Sequence, residues 1–386
     1  MNVLSLFDGM SCGQIALKQL GIIPEKYYAS EIDKHAIKQT QLNFPNTIQL
    51  GDVTRVDVSR LEPIDLLIGG SPCQSFSFAG KRVGMSTVDK EEIYTLDRYL
   101  GLKEEGFQFE GESYLFWEYM RILTDIRKYN PNVLFLLENV EMGKKWERVL
   151  SEAIGVYGVH INSALVSAQN RRRIYWTNIR TKRNGLFGEL HSDIPQPEDK
   201  GILLKDILED EVDEKYFLSD KALSGIINHK KRHMEKESGF GAQFPTVKSN
   251  ALLARCYKDG KENLVCSPRG NNTGGVFGET LRNIIQINPV SGSGGKQSYQ
   301  QDRIYDVNGI SPALCRGGGG MSPNIAVGLI RRLTPTECAR LQTIPSWYKW
   351  ECSDTQQYRM LGNGWTVDVI VHILSFMKEK MNINVA

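Results

Sequence analysis

The chain has 386 residues, 41% of them hydrophobic and 24% charged, with 47 Lys+Arg against 45 Asp+Glu for a net charge of +2. This is an ordinary globular composition, and the length calls for two domains or one large domain with an insertion. No run approaches the ~20 apolar residues of a membrane span, no secretory signal opens the chain, and a total of +2 lacks the basic excess usual in nucleic-acid binders.

The seven cysteines, Cys12, Cys73, Cys256, Cys266, Cys315, Cys338 and Cys352, form no CxxC pair and no Cys/His cluster at zinc spacing. Neither a metal site nor a disulfide framework is expected, and a reducing cytoplasm is the expected location.

Up to about residue 180, short apolar runs alternate with amphipathic stretches of helix length. The pattern predicts strands over 2–7, 27–31, 47–51, 64–69, 133–138, 159–166 and 173–179, and helices near 12–20, 33–43, 114–128 and 142–154. Runs such as Ile64-Asp65-Leu66-Leu67-Ile68 and Val133-Leu134-Phe135-Leu136-Leu137 fit strands covered on both faces. The expected fold is α/β, an open and mostly parallel doubly wound sheet of Rossmann-like type. Residues 79–112 are polar, charged and glycine-containing, and read as a long mobile loop. Asp193-Ile194-Pro195-Gln196-Pro197 reads as a linker. Residues 221–330 hold 17 of the 36 glycines and read as a smaller, irregular β-rich domain with long loops. Regular pattern returns with Thr334-Pro335-Thr336-Glu337, which has the form of an N-cap, N1 and N3 signature. A last amphipathic helix is predicted over 364–380.

The polar residues that carry chemistry fall at the predicted strand ends. Phe7-Asp8-Gly9-Met10-Ser11-Cys12-Gly13 follows the first strand, where a doubly wound sheet meets a nucleotide-like ligand. It is neither G-x-G-x-x-G nor a P-loop, and an acid in that turn disfavours a pyrophosphate. Glu31, followed by Ile32, ends the second strand, where a carboxylate can grip ribose hydroxyls. Asp52-Val53 ends the third. Ser71-Pro72-Cys73-Gln74-Ser75 follows the fourth and either projects a thiol into the same crevice or carries an incidental loop cysteine. None of the six histidines lies in a motif that would make it the base of a cysteine hydrolase. Glu138-Asn139-Val140 ends the fifth strand, where the carboxyl is either a proton donor or an acid that opens the next helix. Gln169-Asn170-Arg171-Arg172-Arg173 lies between two strands; it is either a solvated turn or a holder of phosphate or base.

Taken in this order, and with Arg332-Leu333-Thr334-Pro335-Thr336-Glu337-Cys338-Ala339-Arg340-Leu341-Gln342 and Gly362-Asn363-Gly364-Trp365-Thr366-Val367 near the end, these residues resemble the DNA (cytosine-5)-methyltransferases. Trp365 resembles the mammalian de novo enzymes more than most bacterial members, and Thr336 stands where Arg is common. The resemblance implies an S-adenosylmethionine-dependent methyltransferase domain over 1–184 plus 331–386, and a target-recognition domain over 185–330. It implies S-adenosyl-L-methionine on Phe7, Asp8, Gly9, Met10 and Ser11, with Glu31 and Ile32 at the ribose, Asp52 and Val53 at the adenine, and Asn363, Gly364 and Trp365 closing the pocket. Cys73 would attack C6 of a cytosine extruded from duplex DNA, Glu138 would act on N3, and Arg171 and Arg173 would hold the O2 edge. Pro72, Gln74, Ser75, Asn139 and Gln169 would line the base, and loop 79–112 would close over it. The implied partner of a monomer is double-stranded DNA, with no membrane; a cognate restriction endonuclease acting separately stays open. So do a tRNA methyltransferase on the same scaffold and a non-catalytic DNA-binding relative. The total charge no longer speaks against DNA, because residues 221–330 carry 14 Lys+Arg against 7 Asp+Glu and the rest of the chain is acidic.

Overall fold

The structure, a computed structural model, describes residues 1–72, 92–107, 109, 112–184, 188–219, 248–252, 254, 263–267 and 329–378. Cys73, Gln74, Ser75, residues 79–91 of the expected loop and most of 221–328 lie outside the described residues.

The first half alternates strands and helices: β1 (Asn2–Leu6), α1 (Cys12–Gln19), β2 (Lys26–Ser30), α2 (Lys34–Asn43), β3 (Ile48–Gln49), β4 (Leu66–Gly70), α3 (Leu96–Glu104), α4 (Phe116–Tyr129), β5 (Leu134–Val140), α5 (Lys144–Ile154) and β6 (Val159–Asn162). There follow β7 (Gln169–Asn170), β8 (Arg172–Thr177) and a hairpin of β9 (Thr181–Asn184) with β10 (Glu189–Ser192). The central sheet runs β3-β2-β1-β4-β5-β8-β6. Strands β3, β2, β1, β4 and β5 are mutually parallel, and β8 is antiparallel to both of its neighbours. Strand order reverses between β1 and β4, so the crevice at their carboxyl ends is where an open α/β sheet takes a ligand.

The apolar runs of β4 and β5 lack alternation because both faces are covered. Leu66, Ile68, Leu134 and Leu136 join a core with Ile15 and Ala16 of α1, while Leu67, Phe135 and Leu137 join another with Trp117, Tyr119 and Leu150. The chain's end returns to the first face. After β13 (Leu329–Arg332), paired with β12 (Leu264–Ser267), come α6 (Pro335–Leu341), α7 (Asp354–Asn363) and α8 (Val367–Ser375). Ile370, Ile373 and Leu374 of α8 pack into the core of α1. The expected cap of α6 forms: the Thr334 hydroxyl accepts from Glu337 N at 3.1 Å and the Glu337 carboxylate accepts from Thr334 N at 2.8 Å.

Four expectations are corrected. The 79–112 stretch is not all loop: Leu96–Glu104 is a helix capped by Thr95, with Tyr99 and Leu102 buried against α4. The strand expected over 159–166 stops at Asn162, whose side chain accepts from Ala164 N and caps a 3-10 turn at Ser163–Leu165. The last helix starts at Val367, not 364, because Gly364 and Thr366 are extended at φ −67°, ψ 164° and φ −75°, ψ 109°. The Asp193–Pro197 stretch is no free linker: Ile194 is buried in the main core, and Asp193 pairs with Arg180 and Lys182.

Candidate active site

The turn after β1 is built from backbone that ordinary residues rarely adopt. Phe7, Gly9 and Ser11 have φ of 58°, 56° and 65°, and the two that are not glycine cost on the order of 1–3 kcal/mol each. Side chains from several elements hold this turn. The Glu31 carboxylate accepts from Gly9 N at 2.9 Å with Oε2, and from Ile32 N and Asp33 N at 2.7 and 2.8 Å with Oε1. Tyr348 donates to the carbonyl of Met10 at 2.8 Å, and Gln14 donates to Ser11 Oγ at 2.9 Å. Ile32 stands exposed at the rim.

Asp8 sits inside this turn. Its Oδ1 accepts from Tyr27 Oη at 2.9 Å, whereas Oδ2 is sealed from solvent with no hydrogen-bond partner. The residue as a whole is only half-buried, but the covered oxygen governs its ionisation. Desolvation pushes the carboxyl up to about 6 against the pull of the neighbouring Ser5, Ser11 and Tyr27 hydroxyls.

Asp52 caps the next turn, its Oδ1 accepting from Thr54 N and Thr54 Oγ1, both at 2.9 Å. Val53 behind it is buried. Arg121 of α4 donates to the carbonyls of Val53 and Val56 at 3.2 and 3.1 Å, and to Glu118 at 2.7 Å. Glu118 is fully buried and also accepts from Tyr99 at 2.6 Å and from Lys103, so one carboxylate ties α3 and α4 to the Asp52–Val53 turn.

The other half of the crevice lies at the ends of β4 and β5. Asn139 donates to Ser71 Oγ at 3.0 Å and to the Ser71 carbonyl at 3.3 Å, fixing the chain just before Pro72. Glu138 is buried, and its Oε1 pairs with Arg173 Nε at 2.9 Å. A Cβ on Gly70 would meet Trp365 Nε1 at 2.9 Å and Glu138 Oε2 at 3.0 Å, so the strand end needs glycine for the indole and the carboxylate to converge there.

Two further expected site residues are held by polar contacts of their own. Gln169, expected to line the base, is fully buried; it donates to the Leu341 carbonyl and to Gln342 Oε1 at 3.1 and 3.2 Å, and accepts from Leu252 N at 2.8 Å. Arg171, expected at the base's O2 edge, is also buried and donates to the carbonyls of Leu252, Gly362 and Gly364. Both therefore tie Leu252 to the chain's last third. Asn363 is exposed at the end of α7, and Gly364 turns the chain toward Trp365.

The sequence reading missed Tyr27, Gly70, Glu118 and Arg121. The signal for the last two was present: Glu118 and Arg121 are a charged i,i+3 pair inside the apolar stretch Phe116-Trp117-Glu118-Tyr119-Met120-Arg121-Ile122-Leu123. Among the described residues no cluster of His, Cys, Asp and Glu could hold a metal ion, and no helix is long and apolar enough to cross a membrane.

A family model for C-5 cytosine-specific DNA methylases matches residues 1–379. The chain belongs to this family. It is thus a DNA cytosine-5 methyltransferase. Curated relatives include the type II methyltransferase M.DsaV of Dactylococcopsis salina, 28% identical over 96% of this chain and 84% of that protein. M.NlaX of Neisseria lactamica, also a type II methyltransferase, is 27% identical over 99% of this chain and 97% of its own. Among solved structures, the S. pombe Dnmt2 methyltransferase has a TM-score of 0.59 at 16% identity, covering 99% of this chain and 100% of that one. That likeness shows the α/β methyltransferase fold alone. In this C-5 cytosine methylase the crevice is lined with acidic groups. Asp8 supplies a buried, unpartnered acceptor, and Glu31 and Asp52 supply carboxylates at successive strand ends.

Proposed function

We propose that the chain transfers a methyl group from S-adenosyl-L-methionine to C5 of a cytosine flipped out of double-stranded DNA, through a covalent bond between Cys73 and C6. S-adenosyl-L-methionine would be held by Phe7 to Ser11, Glu31, Ile32, Asp52, Val53, Asn363, Gly364 and Trp365, and it supplies an electrophilic methyl. A stacked and paired cytosine cannot present C5 to that methyl, so extrusion precedes chemistry. The Cys73 thiolate forms the S–C6 bond. The ring electrons this displaces make C5 nucleophilic, while Glu138 hydrogen-bonds or protonates N3. After C5 is methylated, loss of its proton expels the thiolate and restores the aromatic ring.

One observation carries this reading: the Glu138–Arg173 pair converges with Trp365 on Gly70, three residues before Cys73. A carboxyl held at 2.9 Å by a guanidinium has a fixed orientation at the end of β4, and Asn139 anchors the chain there at Ser71. We assign 1–184 plus 331–386 to cofactor and chemistry, and 185–330, with its basic stretch, to duplex recognition. Incubating the protein with methyl-labelled cofactor and either unmethylated duplex DNA or tRNA tests it. Label is expected in DNA only, and none with Cys73→Ser. Substantial methylation by Cys73→Ser would sink the covalent mechanism, and label in tRNA would replace the substrate.

A further inference from the structure

Gln169, Arg171 and Arg173 occupy alternate positions of an extended stretch, the spacing that places residues on one face, yet they reach different targets. Arg173 meets Glu138. Arg171, 4% exposed, donates through Nη1 to the carbonyls of Leu252 and Gly362 at 3.1 and 3.3 Å, and through Nη2 to that of Gly364 at 3.0 Å. Leu252 is held at both polar atoms, since its N–H goes to Gln169 and its carbonyl to Arg171. The segment around it is laid down as a strand: β11 (Ser249–Asn250) pairs in parallel with β7, and Ser249 N donates to the Ala168 carbonyl at 2.7 Å. Lys248 adds three bonds, to the carbonyls of Ala164, Ser167 and Ile202. The same few residues thus grip two things, segment 248–252 from the region assigned to the target and the turn Gly362–Gly364 from the region assigned to the cofactor. Gln342 braces that turn from its other side, donating to the carbonyls of Leu361 and Gly364 at 2.6 and 3.1 Å.

A guanidinium is planar, with its donors fixed in one fork. With Nη1 holding two backbone carbonyls and Nη2 a third in a buried junction, Arg171 is committed to the backbone of two segments. We propose that Arg171 is a positioning residue: it sets the Gly362–Gly364 turn that carries Trp365 toward Gly70, and links the state of that turn to segment 248–252. Arg173 alone of the two then faces the chemistry. The inference rests on the reading of 363–365 as part of the cofactor pocket.

The test uses S-adenosylhomocysteine as probe. In the unmodified protein, its binding is expected to raise the hydrogen-exchange protection of the Ser249 and Leu252 amides, which lie outside the pocket itself. In Arg171→Lys, loss of the fork should weaken S-adenosylhomocysteine binding by roughly tenfold, the effect of losing a buried charged hydrogen bond. It should also abolish the amide response. Arg173→Lys should show the reverse, a slower single turnover with unchanged binding. Unmoved amides in the unmodified protein, or an Arg171→Lys variant that loses rate with intact binding, would overturn the proposal. Failure of the unmodified protein to bind the probe at all would remove the pocket reading together with it.

Discussion

Replacing Asp8 with asparagine isolates the buried carboxyl of the first turn. With Oδ2 sealed and unpartnered, desolvation raises this group from 3.8 to about 6. A rise of that size corresponds to about 3 kcal/mol between its two protonation states. Because the folded value lies above the unfolded one, its contribution is most favourable below pH 4 and is lost as pH rises through about 6. The unmodified protein therefore carries a penalty at pH 7.5 that the neutral amide of the Asp8→Asn variant cannot have. Urea unfolding of the ligand-free protein and of Asp8→Asn, measured from pH 4.5 to 8, should show the variant gaining up to about 3 kcal/mol relative to the parent across that range. A constant difference, or one that moves the other way, would refute the reasoning.

Gly70→Ala forces a methyl to within 2.9 Å of Trp365 Nε1 and 3.0 Å of Glu138 Oε2. Displacing either by a fraction of an ångström should lower single-turnover methylation on the order of 10²-fold, at a stability loss of about 1–3 kcal/mol; a rate within twofold of the parent would mean that this convergence is unimportant. Glu138→Gln keeps the shape but loses the acid and the pairing with Arg173; the chemical step should slow by about 10²–10⁴ while DNA and cofactor still bind, and an unchanged single-turnover rate removes the acid role. Glu118→Ala leaves Arg121 and Lys103 without their buried partner and should cost about 3 kcal/mol in urea unfolding. A loss below about 1 kcal/mol would show that solvent replaces the carboxylate.

Much of the fold was legible along the chain because its strand-end polar residues sit where local pattern is clearest. Doubly covered strands make short apolar runs, and such a sheet exposes functional groups just beyond them, so Phe7 to Ser11, Glu31, Asp52, Glu138 and Asn139 could be placed before any contact was known. The cap at Thr334 and Glu337 was equally local. Leu96–Glu104 was obscured by surrounding charge and glycine: only burial of Tyr99 and Leu102 against α4, with Glu118 accepting from Tyr99 and Lys103, makes that weakly amphipathic stretch a helix.

Residue type and order determined the fold class, the strand-end acids and the family resemblance, because these follow from hydrophobic period and from functional groups at fixed places along the chain. Only the tertiary structure decided where each polar side chain is directed. Gln169 and Arg171 share their spacing with Arg173, yet they turn to carbonyls of Leu252, Leu341, Gly362 and Gly364, far away in the chain. A buried guanidinium or amide goes to whatever acceptors packing brings within about 3 Å. Those acceptors are backbone atoms, which every residue carries alike, so no residue letter marks them in advance.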